Sequence, residues 1–142
     1  MRFISPSPKA TTQTAKVLAK EVLLTNSLVV LGLVGDLGTG KTTFTKGFFK
    51  ELGARKKITS PTFLILRKIP IKSKRNAYHI DAYRVNKRDL LSLGLKDILK
   101  APNIVVIEWA DRIKNVLPKG TIWVEFEHGS KENERHITFN RR

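Results

Sequence analysis

The chain has 142 residues, 41% hydrophobic and 27% charged, with a formal net charge of +15 and no cysteine. That length buries one real core, and the composition is that of an ordinary globular domain. Without cysteine, disulfides, thiolate metal sites and cysteine nucleophiles are excluded.

Ser5-Pro6-Ser7-Pro8 reads as an extended lead-in. From about Thr11 to Leu24, the residues Ala15, Leu18, Ala19, Val22 and Leu23 recur at helical spacing, and Asn26-Ser27 breaks the pattern. Leu28 to Val34 is a nearly continuous apolar run, as expected of a strand buried on both faces. A glycine-rich turn follows, and then Phe44, Phe48 and Leu52 line one face of a helix ending near Gly53. Phe63–Ile71 and Ala77–Tyr83 form two predicted strands around the basic turn KSKRN. Lys87 to Leu99 is a leucine-rich helical stretch loosened at Gly94, and residues 103–109, NIVVIEW, form a second buried strand. Ile122, Val124 and Phe126 alternate with polar neighbours, GSKEN turns the chain, and Ile137 and Phe139 alternate again, predicting a hairpin. Helices set between buried strands imply an α/β sheet that is partly parallel, with antiparallel hairpins added.

Gly35-Asp36-Leu37-Gly38-Thr39-Gly40-Lys41-Thr42 satisfies G-x-x-x-x-G-K-[ST]. Glycines permit a tight loop whose backbone N–H groups face phosphate oxygens, and the helix opening near Lys41 adds the positive end of its dipole. Lys41 can reach β/γ-phosphates, the Thr42 hydroxyl can ligate Mg²⁺, and Thr43 is the adjacent hydroxyl. The motif stands after a buried strand and before a helix, where a phosphate clamp must stand. The predicted fold is a P-loop NTPase-like three-layer sandwich, one domain over residues 1–142.

Such a clamp needs a carboxylate to hold metal or orient water. Glu108 follows four apolar residues at a strand end, where it serves the clamp or faces solvent. Asp81, within YHIDAYR, is either a second site carboxylate or the partner of Arg84 in an ion pair. Ser60 and Thr62, in SPTF, either sense a γ-phosphate from a switch-like loop or cap a turn before a strand. No N-K-x-D motif and no suitably placed D-x-x-G are present, which argues against a GTPase.

GDLGTGKTT, SPTF, YHIDAYR and IEW, in this order and spacing, resemble the bacterial tRNA threonylcarbamoyladenosine biosynthesis ATPase family, the TsaE-like proteins. The resemblance runs from about Thr11 to the final hairpin. It implies a small cytoplasmic ATPase that binds ATP or ADP with Mg²⁺ and is weakly active alone. It also implies a pair of partner proteins that install threonylcarbamoyl on the adenosine beside the anticodon of tRNAs reading codons that begin with A. The ATPase does not perform that transfer; it acts on the transferase pair. Carried over by position, the clamp is Gly35–Thr43, with Lys41 on phosphate and Thr42 on metal. Asp81 and Glu108 take part in metal binding and hydrolysis, and Trp109 in packing or a partner contact. Thr11 and Thr14 fall where the family's amino-terminal segment approaches the nucleotide. The stretch LRKIPIKSKRN is more basic than is usual for the family, and tRNA contact is open. No membrane association is expected: no apolar run nears the roughly 20 residues that span a bilayer, and the amino terminus lacks the apolar centre of a secretory signal. Two other readings remain: a small-molecule kinase using the same clamp, and an RNA-binding module acting through the basic hairpin around Ile71–Asn76.

Overall fold

The computed structural model describes residues 1–55, 66–83 and 87–141. In chain order their elements are β1 (Arg2–Ser5), α1 (Pro8–Leu23), β2 (Val29–Val34), α2 (Lys41–Glu51), β3 (Leu66–Ile69), β4 (Ala77–Asp81), α3 (Lys87–Ser92), α4 (Leu95–Ile98) and β5 (Ile104–Glu108). A 3₁₀ segment (Ala110–Val116), β6 (Ile122–His128) and β7 (Arg135–Arg141) complete the order. The strands form one sheet, β1-β7-β6-β2-β5-β4-β3. Its centre, β6, β2, β5 and β4, is parallel. Antiparallel β3, β7 and β1 finish its two sides.

Strand alternation sends successive side chains to opposite faces, so the central strands are apolar throughout. On one face Val29, Leu31, Leu33, Ile104 and Val106 pack against α1 and α2, and on the other Val30, Val105 and Ile107 pack against α3, α4 and the 3₁₀ segment. This is the three-layer α/β arrangement expected from the sequence. Phe44, Phe48 and Phe49 of α2 are fully buried, each contributing about 2 kcal/mol through burial alone.

The elements depart from the sequence reading at three points. Arg2–Ser5 pairs with β7 as an antiparallel edge strand, and no short-range pattern announces it. Ser7 is extended as read, at φ −158° and ψ 162°, but Pro8 is already helical. The Ser7 hydroxyl accepts from the Ala10 N–H at 3.1 Å, and Pro8 opens α1 a full turn before Thr11. The strand ending in IEW stops at Glu108, because Trp109 turns into the left-handed region with φ 60° and starts the unanticipated 3₁₀ segment. Gly94, at φ 90°, divides α3 from α4 as the loosened helix suggested. Residues 63–65 of the expected strand lie outside the described residues, and its described part, β3, pairs with β4.

Arg75 joins the loops at the amino ends of the parallel strands. It is 8% exposed, and its guanidinium donates to the carbonyls of Pro102, Val22, Thr25 and Ser27 at 2.6–2.9 Å. One side chain thus ties the end of α1 and the approach to β2 to the turns before β4 and β5. Arg75→Met should lower unfolding stability by about 3 kcal/mol, since it strands these carbonyls. Arg75→Lys should recover only part of the loss, because an ammonium lacks the planar fork. Denaturant titration measures both; a change below about 0.5 kcal/mol in Arg75→Met would show the tie to be dispensable.

Candidate nucleotide site

The loop between β2 and α2 lies at the carboxyl end of the parallel strands, the end where α/β sheets bind ligands. Its shape needs glycine at two points. At Gly35 a Cβ would lie 2.6 Å from the Phe126 carbonyl oxygen and 2.8 Å from Thr39 Oγ1, so a side chain cannot enter. Gly40 caps α2 at φ 106°, a conformation that L side chains rarely adopt. Inside the loop, Thr39 Oγ1 donates to the Asp36 carbonyl at 2.6 Å. Arg135, from β7, donates to the Gly38 carbonyl at 3.1 Å, so the carboxy-terminal hairpin braces the loop from outside.

Lys41 is 5% exposed. Its ammonium donates to the carbonyls of Gly35 and Asp36, the latter at 2.8 Å. Nζ also lies 4.1 Å from the Trp109 ring centroid. Burial pushes the Lys41 pKa below its ordinary 10.5, although Glu108, Asp36, Asp111 and Asp81 pull the other way. The lysine therefore rests folded onto its own loop, held by carbonyl dipoles and an aromatic face. The left-handed turn at Trp109 is strained for a bulky residue and places the indole over the ammonium. Tyr83 packs on Trp109 in a tilted contact with ring centroids 4.8 Å apart, and the Arg112 guanidinium lies 4.9 Å from the Tyr83 ring centroid.

Asp81 and Glu108 stand directly opposite each other at the ends of β4 and β5. Glu108 also registers with Leu33 near the end of β2, one residue before Val34 leads into the loop. Alternation puts Glu108 on the face shared by Ile104 and Val106, the α2 side. At 6% exposed, Glu108 does not face solvent. Its Oε2 accepts a 2.7 Å hydrogen bond from His79 Nε2. Asp81 is half-buried, and its Oδ1 accepts from the Tyr83 N–H at 3.0 Å, fixing the turn beyond β4.

The other residues named from the sequence distribute as follows. Thr42 and Thr43 are half-buried at the start of α2, and Leu37 is exposed at the loop's tip. Thr11 approaches the clamp, since a Cβ on Gly40 would meet its Cγ2 at 3.8 Å. Its hydroxyl bonds Ser5 Oγ at 2.7 Å and ties β1 to α1. Thr14 instead donates to the Ala10 carbonyl of its own helix at 3.1 Å. Ser60, Thr62 and Arg84 lie outside the described residues.

His79, Tyr83, Arg112 and Arg135 were not singled out as site residues from the sequence. For His79 a signal existed, because it precedes Asp81 by two positions on one strand and so shares its face. Its Nδ1 is buried without a hydrogen-bond partner among the described residues. Arg112 and Arg135 carry no such local signal. Among the described residues, no three His, Asp or Glu side chains gather as a metal cage. Mg²⁺ needs no such cage, since it takes one or two carboxylates and completes its octahedron with phosphate oxygens and water. Thr42 with Glu108 or Asp81 supplies such a partial set.

A family model described as threonylcarbamoyl adenosine biosynthesis protein TsaE matches residues 5–137. The chain belongs to the TsaE family. The tRNA threonylcarbamoyladenosine biosynthesis protein TsaE of Bacillus subtilis strain 168 is 37% identical over 115 residues, 78% of this chain and 68% of that one. Its namesake in Treponema pallidum strain Nichols is 34% identical over 125 residues, 87% of this chain and 89% of that one. The crystal structure of B. subtilis YdiB superposes with a TM-score of 0.72 at 32% identity, covering 99% of this chain and 84% of that one. Loop, sheet and helix order thus agree with a TsaE-type P-loop fold. No described helix is long and apolar enough to cross a membrane.

The desolvated lysine has a consequence for stability. An unfolded chain keeps the Lys41 proton to higher pH than the folded loop does, so the folded state loses less as pH rises through the window below 10.5. The stability difference between wild type and Lys41→Met should move toward the wild type across that window. Denaturant titrations at several alkaline pH values measure it. A pH-independent difference would mean that the ammonium is not desolvated.

Proposed function

We propose that this TsaE-family chain binds and hydrolyses ATP in the biosynthesis of tRNA threonylcarbamoyladenosine, acting in the cytoplasm on a partner transferase pair rather than transferring the group itself. The observation that carries the reading is the buried ammonium of Lys41 at the loop, with Glu108 and Asp81 side by side on the adjoining strand ends. The pathway follows from the family and from the names its members bear.

In the mechanism, Lys41 exchanges the carbonyls of Gly35 and Asp36 for the β/γ-phosphates of ATP. These are better acceptors for a desolvated cation. Backbone N–H groups of the loop and the first turn of α2 bind the same phosphates. Thr42 and one of the two carboxylates would hold Mg²⁺, which when bound neutralises charge on the transferring phosphoryl group. Glu108, oriented by His79 Nε2, or Asp81 positions the attacking water, and ADP and phosphate leave. Since Trp109 leaves the strand with its ring on Lys41, moving the lysine onto nucleotide frees the indole and its neighbour Tyr83. A partner that recognises the moved aromatics couples its own state to the nucleotide.

Lys41→Ala should weaken ATP binding and lower hydrolysis at least 100-fold in the presence of the transferase pair, the scale of losing one transition-state cation or donor. Glu108→Gln should bind ATP within a few-fold of wild type but hydrolyse it about 100-fold more slowly. Phosphate release, nucleotide titration and threonylcarbamoyladenosine content of cellular tRNA provide the readouts. A Lys41→Ala protein that hydrolyses ATP and supports modification normally would refute the proposal, and transfer of phosphate to a metabolite instead of water would replace it with a kinase.

A further inference from the structure

The two ends of the parallel strands differ in charge balance, the carboxyl end mixing acids with Lys9, Lys41, Arg112, Lys131 and Arg135. At the carboxyl end Asp36, Asp81, Glu108 and Asp111 act on Lys41, and Glu127, Glu132 and Glu134 sit on the β6–β7 hairpin. The amino end is where α1 and α2 finish, where β3 turns into β4, and where the chain enters β5. Among the described residues, every basic side chain on those junctions is exposed except Arg75: Lys20, Lys50, Arg55, Lys72, Lys74 and Lys100.

Contacts, rather than topology alone, draw these junctions together. Arg75 binds carbonyls from the end of α1, the approach to β2 and the turn before β5. The β3–β4 turn that carries Arg75 also lays Lys72 over the end of α2, where a Cβ on Gly53 would meet the Lys72 side chain at 2.6–3.0 Å. The lysines therefore stand around a buried guanidinium whose hydrogen bonds all go to carbonyls, so its positive charge adds to theirs. Acids on these junctions are Glu21 and Glu51. Asp97 of α4 is turned back toward Gly94, with Oδ2 4.0 Å from a Cβ placed there. Lys20 and Lys50 also favour the helix ends they occupy, but that role accounts for neither the turn nor the loop cations.

We infer that this amino-end surface is a binding site for the sugar–phosphate backbone of RNA, on the side of the sheet opposite the nucleotide loop. The patch crosses β2, β5 and β4 and the helix layer above them. With strands about 4.8 Å and packed layers about 10 Å apart, it is wide enough for several consecutive phosphates. Five of its six exposed cations are lysines and none of its residues is aromatic. A protein interface core is depleted in lysine and enriched in aromatics and arginine, whereas phosphate contacts need only positive charge and carry no sequence preference. Leu23 and Leu24, 39% and 87% exposed at the end of α1, make an apolar spot of two residues, too small for an interface core. The phosphate chemistry rests on the patch; the choice of RNA as the polyanion rests on the tRNA-modification reading.

The test uses the full chain, bulk tRNA and a fluorescent 20-base-pair RNA duplex in salt titrations. Wild type should bind both with an affinity that falls steeply with salt, and Lys41→Ala should bind equally well because the clamp is remote. Lys72→Glu/Lys74→Glu should weaken binding at least tenfold and flatten the log–log salt dependence by about two. Lys9→Glu/Lys131→Glu, an equal charge change at the carboxyl end, should leave binding within about threefold. Lys72→Gln/Lys74→Gln, checked for an unchanged melting curve, separates lost contacts from misfolding and should weaken binding about half as much on a logarithmic scale. Equal losses in both charge-reversal variants would reduce the effect to net charge and overturn the site, as would no loss in either. Polyglutamate or phosphatidylglycerol vesicles competing as strongly as the duplex would overturn RNA as the occupant. The ATPase measurements above are independent, so failure here leaves that reading standing, and the converse holds.

Discussion

A lysine ammonium buried at 5% exposure must be surrounded by groups that replace its water. Around Lys41 that demand organises the carboxyl end of the sheet. The Gly35 and Asp36 carbonyls turn inward to accept from it, which needs a loop too tight for side chains. Trp109 leaves β5 in a left-handed conformation and covers the ammonium with its ring. Four acids from separate loops stand near enough to oppose the desolvation that lowers its pKa. The lysine is thus held by carbonyl dipoles, an aromatic face and nearby acids together. The same contact links Lys41 to Trp109, Tyr83 and Arg112 in one chain of cations and aromatic rings.

The carboxylates obey a related constraint. Glu108 is more buried than Asp81, although the two are neighbours in register. A buried carboxylate needs a donor, and His79 supplies one from the adjoining strand at 2.7 Å. Strand alternation makes this possible, since His79, Asp81 and Glu108 all point toward α2. At the other end of the sheet a buried guanidinium, Arg75, is satisfied by carbonyls alone. Each end is therefore built around one buried cation. Four acids stand near Lys41, whereas exposed lysines outnumber the acids on the described junctions around Arg75.

Much of this architecture was legible residue by residue. The apolar runs before Gly35 and Glu108 are central strands buried on both faces, and the alternation after Ile122 is a hairpin. Such signals are local, because burial on both faces leaves no polar position in a short run. The elements that were missed depend on distant partners. Arg2–Ser5 is a strand only because β7, more than 130 residues away, offers it an open edge. The Ser7 cap and Pro8 are a readable helix start, but the paired prolines resembled a linker more strongly.

By itself the sequence determined that a G-x-x-x-x-G-K-T loop stands between a buried strand and a helix, with Asp81 and Glu108 at the ends of other strands. Glycine placement, periodicity and residue chemistry act within a few positions and can be read along the chain. Only the tertiary structure decided that Glu108 is buried and held by His79, that Lys41 rests on its own loop beneath Trp109, and that the cations of four separate junctions share one end. Those outcomes follow from strand order and register, which bring together residues tens of positions apart, and no local pattern encodes that geometry.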